Sequence, residues 1–286
     1  MFQLSIEVSP TDADRVSAFL FELGVPGFEE RDAPGAVHFV LYAESQALTD
    51  DIARRFLELV ADSPPLCRAA RIAHSALAPG AEHAWLAHLE PEWLTPDIVI
   101  QPASLPAPAA AANVIVYQPA LAFGSGSHPT TRLAALALTR VLRTFPGRLL
   151  DVGTGNGVLA FVGLIVGAAS VLGIDIDETS IQAARGNADL NRVGDRARFE
   201  MTALESIRDS FEVVVANIDA PSLQALGPAL CARTQGHLVV TGFLLEQRQA
   251  TESHFRQQGM RVVHAEELDD WCLLELRHAT PGVPGL

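Results

Sequence analysis

The chain has 286 residues, 49% of them hydrophobic and 19% charged, with a formal net charge of −14. That is long enough for two cores and polar enough for a folded, soluble protein. The acidic balance excludes a general affinity for phosphate backbone, which needs a basic face, and favours cationic partners. All 20 basic residues are Arg. The chain therefore lacks any lysine for a Schiff base or a phosphate-cradling loop. Its cysteines, Cys67, Cys231 and Cys272, form no C-x-x-C pair. Neither disulfides nor a metal site is expected, and a reduced, cytoplasmic setting is. No secretory signal is recognisable, and no membrane segment is expected.

Residues 2–8 alternate as FQLSIEV, which predicts a strand with one buried face. Thr11 or Asp12 can cap a helix over 14–23, whose Val16, Phe19, Leu20 and Leu23 share one side. Short strands at 27–31 and 36–42 flank the turn signal Asp32-Ala33-Pro34-Gly35, and a second helix (49–61) and a strand (66–73) follow. Strand, helix, strand, strand, helix, strand is the split order of ferredoxin-like domains. Residues 1–78 hold no catalytic constellation, so they read as a small α+β recognition or structural module.

Residues 79–112 read as a connection. A helix is expected at 81–89, followed by the proline- and alanine-rich run PASLPAPAAAA, with one short strand at 98–100. From residue 113 the pattern changes to alternating strands and helices. Strands are expected at 114–117 (short), 148–152, 170–175, 197–201, 211–217, 237–242, 260–265 and 271–277. Helices are expected at 130–143, 158–167, 178–191, 221–232 and 246–258. This alternation predicts a doubly wound, seven-stranded, mostly parallel α/β sheet over 113–286, with the last two strands paired antiparallel at an edge.

The stretch LLDVGTGNGVLAFVGLIVGAASVLGIDID, residues 149–177, is strand, glycine loop, apolar helix and strand. A glycine loop after a strand lets backbone approach a ligand, while the following helix offers free N–H groups. Asp151, Gly153, Gly155 and Gly157 form D-x-G-x-G-x-G rather than the dinucleotide fingerprint G-x-G-x-x-G. The acid suits a cofactor with a positively charged amino-acid end better than a diphosphate. S-adenosylmethionine has such an end. Asp175 closes the next strand, where a carboxylate can take both ribose hydroxyls. Asp177 reads as the cap of the next helix.

In FGSGSHPTT, residues 123–131, small residues allow a loop to close over a ligand, and Thr130 and Thr131 can hydrogen-bond near a helix start. His128 taken singly reads as structural. Asn217 ends the strand VVVAN at the sheet reversal, where its side-chain oxygen could accept hydrogen bonds from an amine; alternatively it is a turn residue.

Over 113–277 the chain resembles the class I S-adenosylmethionine-dependent methyltransferases, and within them the ribosomal protein L11 methyltransferase (PrmA) family. The likeness rests on AFGSGSHPTT, LLDVGTGNGVLA, GAASVLGIDID with QAARGNADLN behind it, and VVVANI. Trp85, Pro91 and IVIQP agree with it nearer the front of the chain. The resemblance implies a Rossmann-like methyltransferase domain with S-adenosyl-L-methionine held by Thr131, Gly153, Asp175 and Asn217. It implies a ferredoxin-like domain that docks a large-subunit ribosomal protein, and transfer of methyl groups to lysine side chains, an N-terminal amine, or both.

The chain departs from the family's NILA by reading Asn217-Ile218-Asp219-Ala220. That puts the Asp219 carboxylate beside the expected acceptor site, where it could attract an ammonium or take its proton; Asn217 and Asp219 are the candidate catalytic pair. Other acceptors, such as another protein's lysine or a small amine, remain open alternatives, as does a non-catalytic cofactor-binding or assembly module. A monomer is the expectation. One feature runs against it. Residues 158–166 have no polar face, so either the first domain or a second subunit should cover this helix.

Overall fold

The computed structural model of the chain describes residues 2–23, 25, 28–43, 45–61, 71–76, 89–119 and 128–279. They fall into two compact units, Met1–Leu89 and Glu90–Leu286. The helix expected at 81–89 lies, except for Leu89, outside the described residues. So do Cys67, Trp85 and residues 123–127 of the FGSGSHPTT run.

The first unit runs β1 (Phe2–Val8), α1 (Ala13–Glu22), β2 (Glu29–Ala33), β3 (Ala36–Ala43), α2 (Gln46–Ala61), β4 (Arg71–Ala76). Its sheet has the order β2-β3-β1-β4 with every pair antiparallel. The alternation of β1 buries Leu4, Ile6 and Val8. Val16 and Leu20 of α1 and Ile52 and Phe56 of α2 close over them to form one core.

The second unit opens with three strands: β5 (Glu92–Thr95) and β6 (Ile98–Pro102), from the stretch read as connection, and β7 (Asn113–Tyr117), where a short strand was expected at 114–117. β5 pairs antiparallel with β6, and β6 parallel with β7. The second compact unit begins at Glu90, inside the stretch read as the 79–112 connection, and IVIQP is wholly buried in this small sheet. The proline- and alanine-rich run is only the β6–β7 crossover.

The larger sheet is built from α3 (Pro129–Thr144), β8 (Arg148–Val152), α4 (Val158–Val166), β9 (Ser170–Asp175), α5 (Glu178–Leu190), β10 (Ala197–Met201), β11 (Phe211–Asn217), α6 (Ala220–Arg233), β12 (Thr234–Leu244), α7 (Arg248–Gln257), β13 (Met260–Leu268) and β14 (Trp271–His278). Its order is β10-β9-β8-β11-β12-β14-β13. The first five strands in that order are parallel; β14 is antiparallel to both β12 and β13. The strand order reverses between β8 and β11, which makes the carboxyl ends of those two strands the switch point.

The apolar helix α4 is covered within its own unit. It lies on β8 and β9 and is flanked by β7 and α3. Every residue of it is buried except Ile165, which is 36% exposed. The expected cover from the first domain or a second subunit is replaced by β7 and α3. Packing against β8, β9, β7 and α3 leaves the helix only Ile165 exposed, so it carries no polar stripe.

Candidate cofactor site at the sheet switch point

The glycine loop follows β8 directly. Gly153, Gly155 and Gly157 all have positive φ (70°, 53° and 89°), a region that side chains with a Cβ rarely occupy. The N–H groups of Gly153 and Thr154 donate to the Ile174 carbonyl at 2.9 and 3.0 Å, so the loop is pinned to the end of β9. A Cβ at Gly153 would stand 2.5 Å from Cγ2 of Ile218, just past Asn217. On the other side of Ile218, Gly242 brings its backbone against the Ile218 carbonyl in the same way. The glycine loop and the β11 end are thus in contact, as the ladder pair Val152 with Ala216 requires.

Asp151 is buried, and its Oδ2 accepts from the Thr154 hydroxyl at 2.7 Å. Burial pushes its carboxyl up to about 7; the Thr154 and Ala160 hydrogen bonds oppose the rise, and the nearby Asp175 charge adds to it. Near neutral pH this group therefore exchanges its charge readily. A cationic ligand would favour the ionised form.

Asp175 is held at both oxygens. Oδ2 accepts from the Gly155 N–H at 3.0 Å and Oδ1 from the Asp177 N–H at 3.1 Å. Each carboxylate oxygen has a further lone pair for a ligand hydroxyl. Asp177 caps α5 as expected, accepting from Thr179 and Ser180. Burial raises its carboxyl, but these bonds outweigh it and hold it below the usual range.

Sequence reasoning missed two large apolar side chains beside Asp175. Ile176 is 83% exposed and Met201, the ladder partner of Asp175, is 57% exposed. Bare aliphatic surface at the carboxyl ends of adjacent strands suits the flat face of a base. The signal in the sequence was an apolar residue between two aspartates in IDID.

Thr131 lies in the first turn of α3 and is buried, and its Oγ1 has no hydrogen-bond partner among the described residues. A buried hydroxyl in that state costs stability unless a ligand satisfies it. His128 is structural: its Nδ1 accepts from the Thr130 N–H and caps α3, and its ring meets Trp271 edge-on at 4.6 Å. Burial depresses its pKa to about 3, so it is neutral.

Asn217 is half-buried at the end of β11. Asp219 caps α6: Oδ1 accepts from the Ser222 N–H at 2.9 Å and Oδ2 from the Ser222 hydroxyl at 2.7 Å. Asp followed by Pro two residues later is a helix-start signal, and it explains this aspartate without any chemistry.

Five parallel strands running into an antiparallel pair, with a glycine loop and a ribose-competent acid at the switch point, define the chain as a class I methyltransferase. The profile of the family "Ribosomal protein L11 methyltransferase (PrmA)" matches residues 69–279. A ribosomal protein L11 methyltransferase from Syntrophotalea carbinolica is 33% identical over 97% of this chain and 98% of its own length. One from Sorangium cellulosum is 34% identical over 86% and 80%. The crystal structure of a ribosomal protein L11 methylase from Lactobacillus delbrueckii subsp. bulgaricus superposes with a TM-score of 0.61 at 30% identity, covering 66% of this chain and 98% of that one.

The chain belongs to the ribosomal protein L11 methyltransferase (PrmA) family and is an S-adenosylmethionine-dependent methyltransferase. The residues present fit that cofactor: a buried carboxyl that a cation would ionise, an acid with spare acceptor capacity for hydroxyls, and exposed apolar side chains next to it.

Proposed function

We propose that this chain methylates amino groups, lysine side chains or the N-terminal amine, of the large-subunit ribosomal protein L11. The observation that carries the reading is the bond between Asp175 and the Gly155 N–H, which joins the acid and the glycine loop into one pre-set surface. The names of the relatives supply the acceptor. Bound there, S-adenosylmethionine supplies an electrophilic methyl carbon on a sulfonium.

In this reading Asp175 takes the ribose hydroxyls, Asp151 faces the cationic amino-acid end, and the backbone at Gly153, Gly155 and Gly157 makes room for the ligand. Thr131 donates or accepts one hydrogen bond from its buried hydroxyl. The acceptor must react as a neutral amine, and neutralising a lysine at pH 7 costs about 4 to 5 kcal/mol from its reference pKa. Exclusion of water and a neighbouring positive charge reduce that cost. Asn217 would orient the amine by accepting its N–H groups, leaving the nitrogen lone pair free to attack an electrophilic methyl group supplied by the cofactor. Asp219, with both oxygens on Ser222, acts through its negative charge on the incoming ammonium and not as a free base.

We further assign residues 1–78 as the ferredoxin-like module that docks the ribosomal substrate, and read the chain as a monomer working in the cytoplasm. Among the described residues, no helix is long and apolar enough to cross a membrane. Incubation with labelled S-adenosylmethionine and undermethylated ribosomes tests the proposal. Label on L11 alone is expected. Label on another component, or cofactor binding without transfer, overturns it.

A further inference from the structure

Helix α5 carries two asparagines one turn apart, Asn187 and Asn191, in the run QAARGNADLN. Both turn toward β7, but they have different partners. Asn191 holds the strand edge: its Oδ1 accepts from the Val116 N–H at 2.9 Å, and its Nδ2 donates to the Val116 carbonyl at 2.6 Å and, within the helix end, to the Asn187 carbonyl at 2.7 Å. Asn187 is 1% exposed and bridges two separate backbones. Its Oδ1 accepts from the Gln118 N–H at 2.8 Å, and its Nδ2 donates to the Asn156 carbonyl at 3.0 Å. Asn156 is the residue between Gly155 and Gly157.

We propose that Asn187 is a positioning residue of the methyl-donor site, whose one buried amide fixes the shape of the glycine loop at a second point, one residue beyond the Asp175 anchor. The Asp175 carboxylate holds the loop at the Gly155 N–H, and the Asn187 amide holds it one residue later at the Asn156 carbonyl. Both anchors belong to one rigid piece, because α5 starts at Glu178, immediately after the turn that Asp175 and Asp177 form. Three successive glycines at alternate positions give the loop wide conformational freedom. Two anchors, at the Gly155 N–H and the Asn156 carbonyl, remove most of it before any ligand arrives. A loop that is only fractionally in its binding shape weakens apparent affinity by that fraction. Asn191 makes no contact with the loop, so it serves β7 and not the site.

The proposal rests on the reading of this site as a methyl-donor site. Its test uses Asn187→Asp, which keeps an acceptor for Gln118 but loses the donor to Asn156, with Asn191→Asp as the matched control on β7. Two measurements are made on the full chain: hydrogen exchange at the Gly155 and Gly157 amides without ligand, and calorimetric affinity for S-adenosylmethionine. Asn187→Asp should speed loop-amide exchange and weaken affinity by about tenfold or more, the scale of one buried hydrogen bond, with the KM for the protein acceptor unchanged. Asn191→Asp should lower the urea midpoint while leaving loop exchange and cofactor affinity at the values of the unaltered chain.

Asn187→Ser removes both bonds without adding charge. It is expected to behave as Asn187→Asp does, which keeps the test decisive should the aspartate variant not fold. Equal losses in the Asn187 and Asn191 variants, or unchanged loop exchange in the former, overturn the positioning role. Failure of the unaltered chain to bind S-adenosylmethionine, with loop exchange responding as expected, overturns the cofactor reading and leaves the loop anchor standing.

Discussion

Replacing Gly153 by Ala adds one methyl group at a position that resists it for two independent reasons. The backbone there has a φ of +70°, and an L-residue in the left-handed region loses roughly 1–2 kcal/mol. The new Cβ would also lie 2.5 Å from Cγ2 of Ile218. That carbon sits directly on a β-branched Cβ and moves only if χ1 or the backbone moves. Overpacking of this kind adds about 1–3 kcal/mol. The sum, about 2–5 kcal/mol, is large against a typical total stability of about 5–15 kcal/mol, yet leaves the chain folded.

A double-mutant cycle with Ile218→Ala separates the two causes. Ile218→Ala removes the obstructing carbon and so returns the overpacking part, about 1–3 kcal/mol, but leaves the backbone part in place. Urea midpoints of the four proteins measure the stability coupling. Calorimetry with S-adenosylmethionine should show at least a tenfold loss of affinity in Gly153→Ala and partial recovery in the double variant. If the two changes prove additive within about 0.5 kcal/mol, the glycine loop and Ile218 do not compete for the same space, and the contact between the loop and the β11 end is wrong.

Other consequences are open to measurement. Asp175→Ala removes both the ribose partner and the Gly155 anchor, and S-adenosylmethionine affinity should fall by about a hundredfold, since a charged hydrogen bond contributes about 1.5–3 kcal/mol; unchanged calorimetric binding would falsify the ribose assignment. Asp219→Asn keeps an equally good helix cap and deletes only the charge. Its urea midpoint should match that of the unaltered chain while kcat/KM for L11 drops; unchanged turnover and pH profile would restrict Asp219 to capping. Asp151 has a folded pKa raised to about 7 against about 3.9 unfolded. The folded state therefore holds the extra proton between those values, and this group's stabilisation is complete below pH 4 and lost as pH rises through 7. Unfolding of the unaltered chain and of Asp151→Asn at pH 5 and pH 8 should show the unaltered chain losing stability relative to the variant as pH rises. Parallel pH dependences would show that Asp151 ionises normally.

What could be read from the sequence was whatever depends on local spacing. D-x-G-x-G-x-G, the acid Asp175 and the cap Asp177 stand where their spacing placed them, because loop, strand and helix follow one another with no long excursion. The mostly parallel sheet with an antiparallel pair at one edge was legible through the alternation of most strands with helices. What escaped depends on contacts between distant segments. β5 was missed, and the strand at 98–100 was legible but its sheet was not, because IVIQP pairs with Asn113–Tyr117 beyond the Pro/Ala run. Asn187 and Asn191 carried a signal, two amides one helical turn apart, but their partners lie some seventy residues earlier. Ile218 and Gly242 meet only because β11 and β12 are neighbours.

The small sheet has a bearing on how the chain comes off the ribosome. Residues 158–166 form an uninterrupted apolar helix that, left bare in water, would be the stickiest segment of a nascent chain. β7 ends at Tyr117 and α3 at Thr144, so both of the segments that flank it are synthesised first. Three of its four neighbours, β7, α3 and β8, are already made when the helix emerges, and it has only β9 still to wait for. The placement of β5 to β7 ahead of the methyltransferase sheet shortens the time for which this hydrophobic segment is exposed to other chains.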